Sequence, residues 1–318
     1  MNLPRIRFLE RRIAQFLEHG SSSPWLRGLA QGWALYAAHR PRTPALPGVH
    51  LMGVEGATLG GSWRTPLALA LTQELVRKGE RVVFWSHGYG GRGPGRWVSP
   101  QEAPWEAGDE AVLAARTLEH LGVPVRVGAF GTWAGQGTVI VADGLRVSRG
   151  RGACALLALD GEAPWGAGRC PPAGDLRARP KDLLEAASEV IEVGEKEPDR
   201  LSIDRWRGRW RLEAEGLQGV PVAMVTAVGR PERFQRGLER AGVVVTTRVE
   251  LPDHRGRGVA AEVEARLQGR RFDVVVCTEK CALWLPERLR GKPVVVVRGA
   301  LDLPPGFVEA ALQGSRWG

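Results

Sequence analysis

Thr58-Leu59-Gly60-Gly61-Ser62-Trp63-Arg64-Thr65-Pro66 follows an apolar segment, residues 50–54, and runs into Leu67-Ala68-Leu69-Ala70-Leu71, with Leu75 and Val76 continuing at helical spacing. Strand, glycine-rich turn and helix in that order are the context of a phosphate-binding loop. Such a loop turns successive backbone N–H groups toward a phosphate at a helix N-terminus, where the helix dipole also favours an anion. A lysine ordinarily reaches the β- and γ-phosphates, and the Ser/Thr after it holds magnesium. Thr65 supplies that hydroxyl. Arg64 stands at the lysine position; it keeps the charge, but a planar fork is bulkier than an ammonium and bonds differently. Trp63 stands where glycine is ordinarily used, because there the backbone approaches the phosphate closely and positive φ carries no Cβ penalty. The expected nucleotide contacts are Thr58, Gly60, Gly61, Ser62, Arg64 and Thr65, with the Trp63 ring turned away from the phosphate space. The other reading of these residues is an ordinary glycine-rich turn between strand and helix.

Outward from the loop, short apolar runs alternate with helical stretches. Residues 82–85, 139–141, 155–159, 222–228, 243–245, 274–276 and 294–297 have the continuous apolar character of strands buried on both faces. Residues 109–121, 231–241, 258–269 and 304–313 have helical spacing between them. The pattern predicts an α/β fold: a P-loop NTPase-like parallel sheet core and a second α/β lobe. A polar stretch, 195–219, centred on Trp206-Arg207-Gly208-Arg209-Trp210, interrupts the alternation and predicts a hairpin linker with cross-strand tryptophans. The expected organisation is therefore 1–44, 45–194, 195–219 and 220–318.

The chain has 318 residues, 43% hydrophobic and 25% charged, enough to bury a sizeable core. No run of about 18 apolar residues is present, so no membrane span or secretory leader is expected and the bulk is placed in the cytoplasm. Cys154, Cys170, Cys277 and Cys281 form no C-x-x-C pair and are expected as reduced thiols. The net charge of +9 favours an anionic partner. Arg5, Arg7, Arg11, Arg12, Arg27, Arg40 and Arg42 face only Glu10 and Glu18 in the first 42 residues. Ile6, Leu9, Ile13, Phe16 and Leu17 form one helical stripe there, and Leu26, Leu29, Trp33 and Tyr36 a second. The first 44 residues thus predict basic amphipathic helices, suited to an anionic membrane surface or, alternatively, packed stripe-inward on the core. No nucleic-acid motif is present, so nucleic acid is not an expected partner; the small Trp206–Trp210 cluster is what a basic nucleic-acid-binding NTPase would use.

Phosphoryl transfer also needs a group that orients or deprotonates the attacking hydroxyl. Asp109, after a glycine at a helix start, is one candidate, and His254 beside Asp253 is another, since a neighbouring carboxylate fixes the tautomer of an imidazole. The same residues also read as a helix N-cap and an exposed loop pair. Asp143, at a strand end where α/β ligand sites form, is a candidate magnesium ligand together with Thr65.

Ser86-His87-Gly88-Tyr89-Gly90, Gly108-Asp109-Glu110, Ala142-Asp143-Gly144-Leu145, Pro171-Pro172-Ala173-Gly174-Asp175-Leu176-Arg177, Gly229-Arg230-Pro231-Glu232-Arg233-Phe234, Asp253-His254 and Thr278-Glu279-Lys280 follow in that order. In identity and order they resemble tetraacyldisaccharide 4'-kinase, an enzyme family of lipid A biosynthesis, over roughly residues 45–300. The resemblance implies a two-lobed P-loop fold that transfers the γ-phosphate of ATP, with magnesium, to the 4'-hydroxyl of a lipid A disaccharide precursor. It implies a catalytic Asp109–His254 dyad, a catalytic and phosphate-binding Arg64, and a peripheral place on the cytoplasmic side of the inner membrane of a Gram-negative-type bacterium. The chain departs from the family at Trp63 and Arg64, at Ala142 and Ala178, where carboxylates are expected, and at His87, Gly91 and Cys281. A paralogue that binds nucleotide or lipid without turnover is the alternative those departures imply.

Overall fold

A computed structural model describes residues 13, 16–89, 91, 95–130, 135–202, 204–251 and 258–315. In chain order, α1 (Pro24–His39) precedes β1 (Val49–Gly56), α2 (Arg64–Arg77), β2 (Val82–Ser86), β3 (Arg96–Val98), α3 (Pro104–Ala107), α4 (Asp109–Leu118), β4 (Val125–Val127), β5 (Thr138–Asp143) and β6 (Ala153–Asp160). There follow α5 (Pro180–Ala186), β7 (Glu189–Gly194), β8 (Asp199–Arg200), β9 (Arg205–Glu213), β10 (Pro221–Thr226), α6 (Pro231–Arg240) and β11 (Val244–Glu250). The chain closes with α7 (Val259–Arg266), β12 (Val274–Thr278), α8 (Glu279–Ala282), β13 (Arg288–Leu289), β14 (Lys292–Asp302) and α9 (Phe307–Ser315).

The strands form one mixed sheet in the order β11-β10-β12-β14-β9-β7-β6-β1-β5-β2-β4-β3, with β13 on β14 and β8 on β9. Strands β4, β2, β5, β1, β6, β7 and β9 run parallel, as do β11, β10, β12 and β14. The two parallel halves meet antiparallel where β14 joins β9. Strand β14 serves both halves: Val294 to Val297 pair with β12, and Arg298 to Asp302 pair with β9.

Both faces of the first half are covered, which explains its unbroken apolar strands. Leu156 and Ala158 of β6 face a core shared with α2, α4 and α9, whereas Leu157 and Leu159 face one shared with α1 and α5. In the second half, Phe234 and Leu238 of α6 cover Val222, Met224 and Val276. Val259 and Val263 of α7 cover Ala223, Val225, Val275 and Cys277 on the opposite face.

The stretch 195–219 contains the antiparallel pair β8 and β9, but Trp206 and Trp210 do not face each other across a hairpin. They lie four residues apart on β9, and the sheet passes through this segment without a break. Trp206 is buried, with its ring on Phe307 and its Nε1 donating to Glu189 Oε2 at 2.6 Å. A base-stacking platform needs an exposed ring, so the cluster does not provide one. Helix α9, from the end of the chain, packs on β6 and β1 of the first half.

Helix α1 turns its small side chains inward. Ala30, Ala34 and Ala37 are buried, while Leu29, Trp33, Leu35, Tyr36 and Trp25 are exposed, Trp25 to 86%. Of the expected stripe only Leu26 packs partly on the core, so the stripe-inward arrangement is not what forms. Ile13 and Phe16 are likewise exposed; Ile6 and Leu9 lie outside the described residues. No described helix is long and apolar enough to cross a membrane. All four cysteines are buried and none is in a disulfide.

Candidate active site at the phosphate loop

The loop leaves β1 after Gly56 and enters α2 at Arg64. Its start is stitched to residues 175–177: Leu59 N donates to Asp175 O, Arg177 N to Ala57 O, and Arg177 Nε to Thr58 O, at 2.8 to 2.9 Å. Burial lowers Arg177 to about 10, which leaves it cationic at neutral pH. Thr58 Oγ1 closes the turn on Gly60 O at 2.8 Å. Ser62 folds back against β1, where a Cβ on Gly56 would lie 1.9 Å from its Oγ; only glycine fits there. Gly61 and Trp63 both take left-handed backbone, with φ of 60° and 59°. Trp63 at the N-cap has no side-chain acceptor and makes no cap bond, so it takes no hydrogen bond from the first-turn amides of α2.

Behind the loop sits a polar centre. Asp143, at the end of β5 beside β1 and β2, has a fully buried side chain. Its Oδ1 accepts from Arg64 Nε at 2.5 Å and its Oδ2 from Thr65 Oγ1 at 2.7 Å. Arg64 Nη2 also reaches Glu110 Oε2 at 3.1 Å. His87 Nε2 meets Gly144 O at 3.1 Å, and burial lowers its pKa. Asp109 opens α4 as a buried residue, its Oδ1 accepting from Glu110 N at 2.9 Å. From the second half, Lys280 Nζ stands 3.5 Å from Asp109 Oδ2.

The end of β6, strand β9 and helix α6 of the second half also touch the loop directly. Trp63 turns away from Gly60 and Gly61: its Nε1 donates to Asp160 Oδ1 at 3.4 Å and its ring lies 4.9 Å from that of Trp210. The Arg233 guanidinium covers the indole at 4.9 Å and donates from Nη1 to Gly61 O at 2.6 Å. Asp160 pairs with Arg233 and, at 2.7 Å, with Arg230, whose other nitrogen is 3.4 Å from Asp175. Desolvation holds Arg233 down at about 10, still charged at neutral pH.

The structure thus gathers Thr58, Gly60, Gly61, Ser62, Arg64, Thr65, Asp109 and Asp143 at one end of the first-half strands. His254 and Asp253 lie outside the described residues. Glu110, Asp160, Arg177, Arg230, Arg233 and Lys280 had no assigned role from sequence. Five of these, Glu110, Arg177, Arg230, Arg233 and Lys280, stand inside the signature segments, which was the available signal; Asp160 is marked only by ending an apolar strand. No group of three or more His, Cys, Asp or Glu that could hold a metal exists among the described residues. A loop hydroxyl bonded to a strand-end aspartate is nevertheless the donor pair that suits magnesium carried by nucleotide phosphates, and Thr65 and Asp143 fit it.

A family model described as tetraacyldisaccharide-1-P 4'-kinase matches residues 27–314. Tetraacyldisaccharide 4'-kinase of Methylobacterium radiotolerans is 32% identical over 312 residues, covering 92% of this chain and 95% of that protein. The enzyme of the same description from Methylobacterium sp. (strain 4-46) is 34% identical over 314 residues, covering 91% and 92%. In fold, the chain is similar to the crystal structure of LpxK from Aquifex aeolicus in complex with ATP, with a TM-score of 0.60, 19% identity, and coverage of 98% and 97%.

Proposed function

Because this chain belongs to the tetraacyldisaccharide-1-P 4'-kinase family, we propose that it transfers the γ-phosphate of ATP to the 4'-hydroxyl of a tetraacyldisaccharide 1-phosphate in lipid A biosynthesis. The observation that carries this reading is the convergence of Arg64, Thr65, Asp143 and Asp109 behind an anion-cradling loop, with Lys280 reaching Asp109 from the other half.

The loop amides hold the β- and γ-phosphates, and Arg64 supplies the positive charge that grows in value as the transferring phosphoryl becomes more anionic. Thr65 and Asp143 would hold magnesium, which neutralises phosphate charge when bound. Asp109 accepts the proton of the 4'-hydroxyl as that oxygen bonds to the γ-phosphorus and the bond to the β-bridging oxygen breaks, releasing ADP. Lys280 balances the Asp109 carboxylate and fixes its direction. His254 is assigned as the partner of Asp109 from the family pattern. The exposed apolar face of α1, with Arg27 on the helix and Arg40 at its C-cap, supports a peripheral position on the anionic cytoplasmic face of the inner membrane.

A second reading, nucleotide or lipid binding without turnover, draws on Ala142 and Ala178, both buried where the family pattern expects carboxylates. One experiment separates the two. The purified chain is given ATP, magnesium and tetraacyldisaccharide 1-phosphate, and the phosphorylated lipid is followed by mass spectrometry. Turnover that falls about 10²- to 10⁴-fold in Asp109→Asn, with ATP affinity retained, is the expected result. ATP binding with no turnover in the unaltered chain would establish the second reading, and no ATP binding would remove both.

A further inference from the structure

A tryptophan in left-handed backbone persists only where its surroundings over-determine it. At Trp63 every such contact comes from outside the loop. Asp160 takes the indole N–H, Trp210 supports one side of the ring and the Arg233 guanidinium covers it. Trp210 can lie there because Gly299 of β14 has no side chain: a Cβ at 299 would come within 1.9 Å of the Trp210 ring. The same Arg233 donates to Gly61 O, and Gly229 brings its backbone so close that a Cβ on it would lie 3.0 Å from Gly61 N. Asp160 joins these contacts by pairing with both Arg230 and Arg233, and Glu162 adds a pair with Arg236.

We infer that Trp63 is a positioning residue through which Arg233 of the second half, together with Asp160 and Trp210 of the first, sets the backbone of the phosphate loop. The indole is the handle, Arg233 is the grip, and Arg233 on Gly61 O carries the same restraint to the loop amides that face a phosphate. The residue that looks like damage to the loop is then what organises it. Glycine, the usual occupant of this position, would remove the indole's share of this restraint, leaving Arg233 on Gly61 O alone, and weaken nucleotide binding. For its nucleotide arm this inference rests on the kinase reading; its conformational arm does not.

The test compares the full chain with Trp63→Gly, Trp63→Phe, Arg233→Ala and the double variant Trp63→Gly with Arg233→Ala. Hydrogen exchange of residues 59–63 is measured without nucleotide, and magnesium–ATP affinity by calorimetry, with cooperative thermal unfolding as the check on folding. Expected are faster exchange at 59–63 and about tenfold weaker ATP binding in Trp63→Gly and in Arg233→Ala. The double variant should lose clearly less than the sum of the two single ones, because both remove the contact between Arg233 and the indole. Trp63→Phe, which keeps the ring contacts, should stay near the unaltered chain. Unchanged exchange and equal or tighter ATP binding in Trp63→Gly would overturn the inference, as would fully additive losses in the double variant. If Trp63→Gly does not fold, Arg233→Ala decides by the same readouts. If the unaltered chain binds no ATP, the kinase reading fails and exchange alone decides the link.

Discussion

Arg64 is held by two carboxylates, Asp143 at 2.5 Å and Glu110 at 3.1 Å, and this bonding shows what an arginine at the lysine position does. A guanidinium can satisfy both acids at once through separate nitrogens, whereas an ammonium is a compact point charge on a flexible stem. The fork therefore ties the loop to β5 and α4 as well as offering charge. Arg64→Ala removes the cation that stabilises the transferring phosphoryl and is expected to lower kcat by about 10²- to 10³-fold. Arg64→Lys is expected to keep or raise kcat, because lysine gives up the second carboxylate and is freer to follow the phosphate. Steady-state rates with ATP and lipid check both, and an unchanged rate in Arg64→Ala would assign the work to another cation. The neighbouring position carries a cost of about 1–2 kcal/mol for a side chain in left-handed backbone. Sequence could locate that cost but not what offsets it, since Asp160, Trp210 and Arg233 come from separate segments.

Helix α1 shows how an element can satisfy the sequence pattern and still face the other way. Its large residues recur at helical spacing, yet the core that holds Leu157, Leu159 and Leu176 buries Ala30, Ala34 and Ala37 of this helix and takes only Leu26, in part, from the stripe. The bulky side chains are left on the outer face with few partners to cover them, although Trp33 Nε1 does donate to Arg177 O at 3.3 Å. Exposed tryptophan, leucine and tyrosine beside arginine are the residues that enter a headgroup layer. Replacing Trp25, Leu29 and Tyr36 together with serine is expected to reduce binding to vesicles containing phosphatidylglycerol by about tenfold or more, measured by flotation. Thermal stability should change little, because these side chains are exposed. Equal flotation of both proteins would place the membrane contact elsewhere.

At the scale of the whole molecule, the two halves are joined by more than a linker. Strand β14 belongs to both, and α9 returns from the second half to close the core of the first. Phe307, fully buried, meets Trp206 of β9 edge-on at 5.7 Å, and Ala311 and Leu312 continue the contact. Phe307→Ala is expected to destabilise the protein by about 3–5 kcal/mol through lost burial and the cavity left behind. Urea unfolding checks this, and the loss should appear in the transition that also reports the phosphate loop, since α9 packs on β1 and β6. A loss confined to the second half, with the loop unaffected, would show that α9 stabilises a different unit.

The amino-acid sequence by itself determined the long apolar strands, the loop and the helix that follows it, but not β3, β4 or β7, which are short or carry charged residues. Unbroken apolar runs must be covered on both faces, and a glycine-rich turn between such a run and a helical pattern marks where strand passes into helix. It also placed Asp109, Asp143, Arg64 and Thr65 at element ends where a site forms. Only the tertiary structure decided that Lys280 meets Asp109, that Arg233 grips Trp63 and Gly61, and that α9 covers the first half. Periodicity states which face of an element is buried, but not which distant element buries it. That choice follows from strand order, here the pairing of β14 with β9, which sets the two halves side by side across the loop.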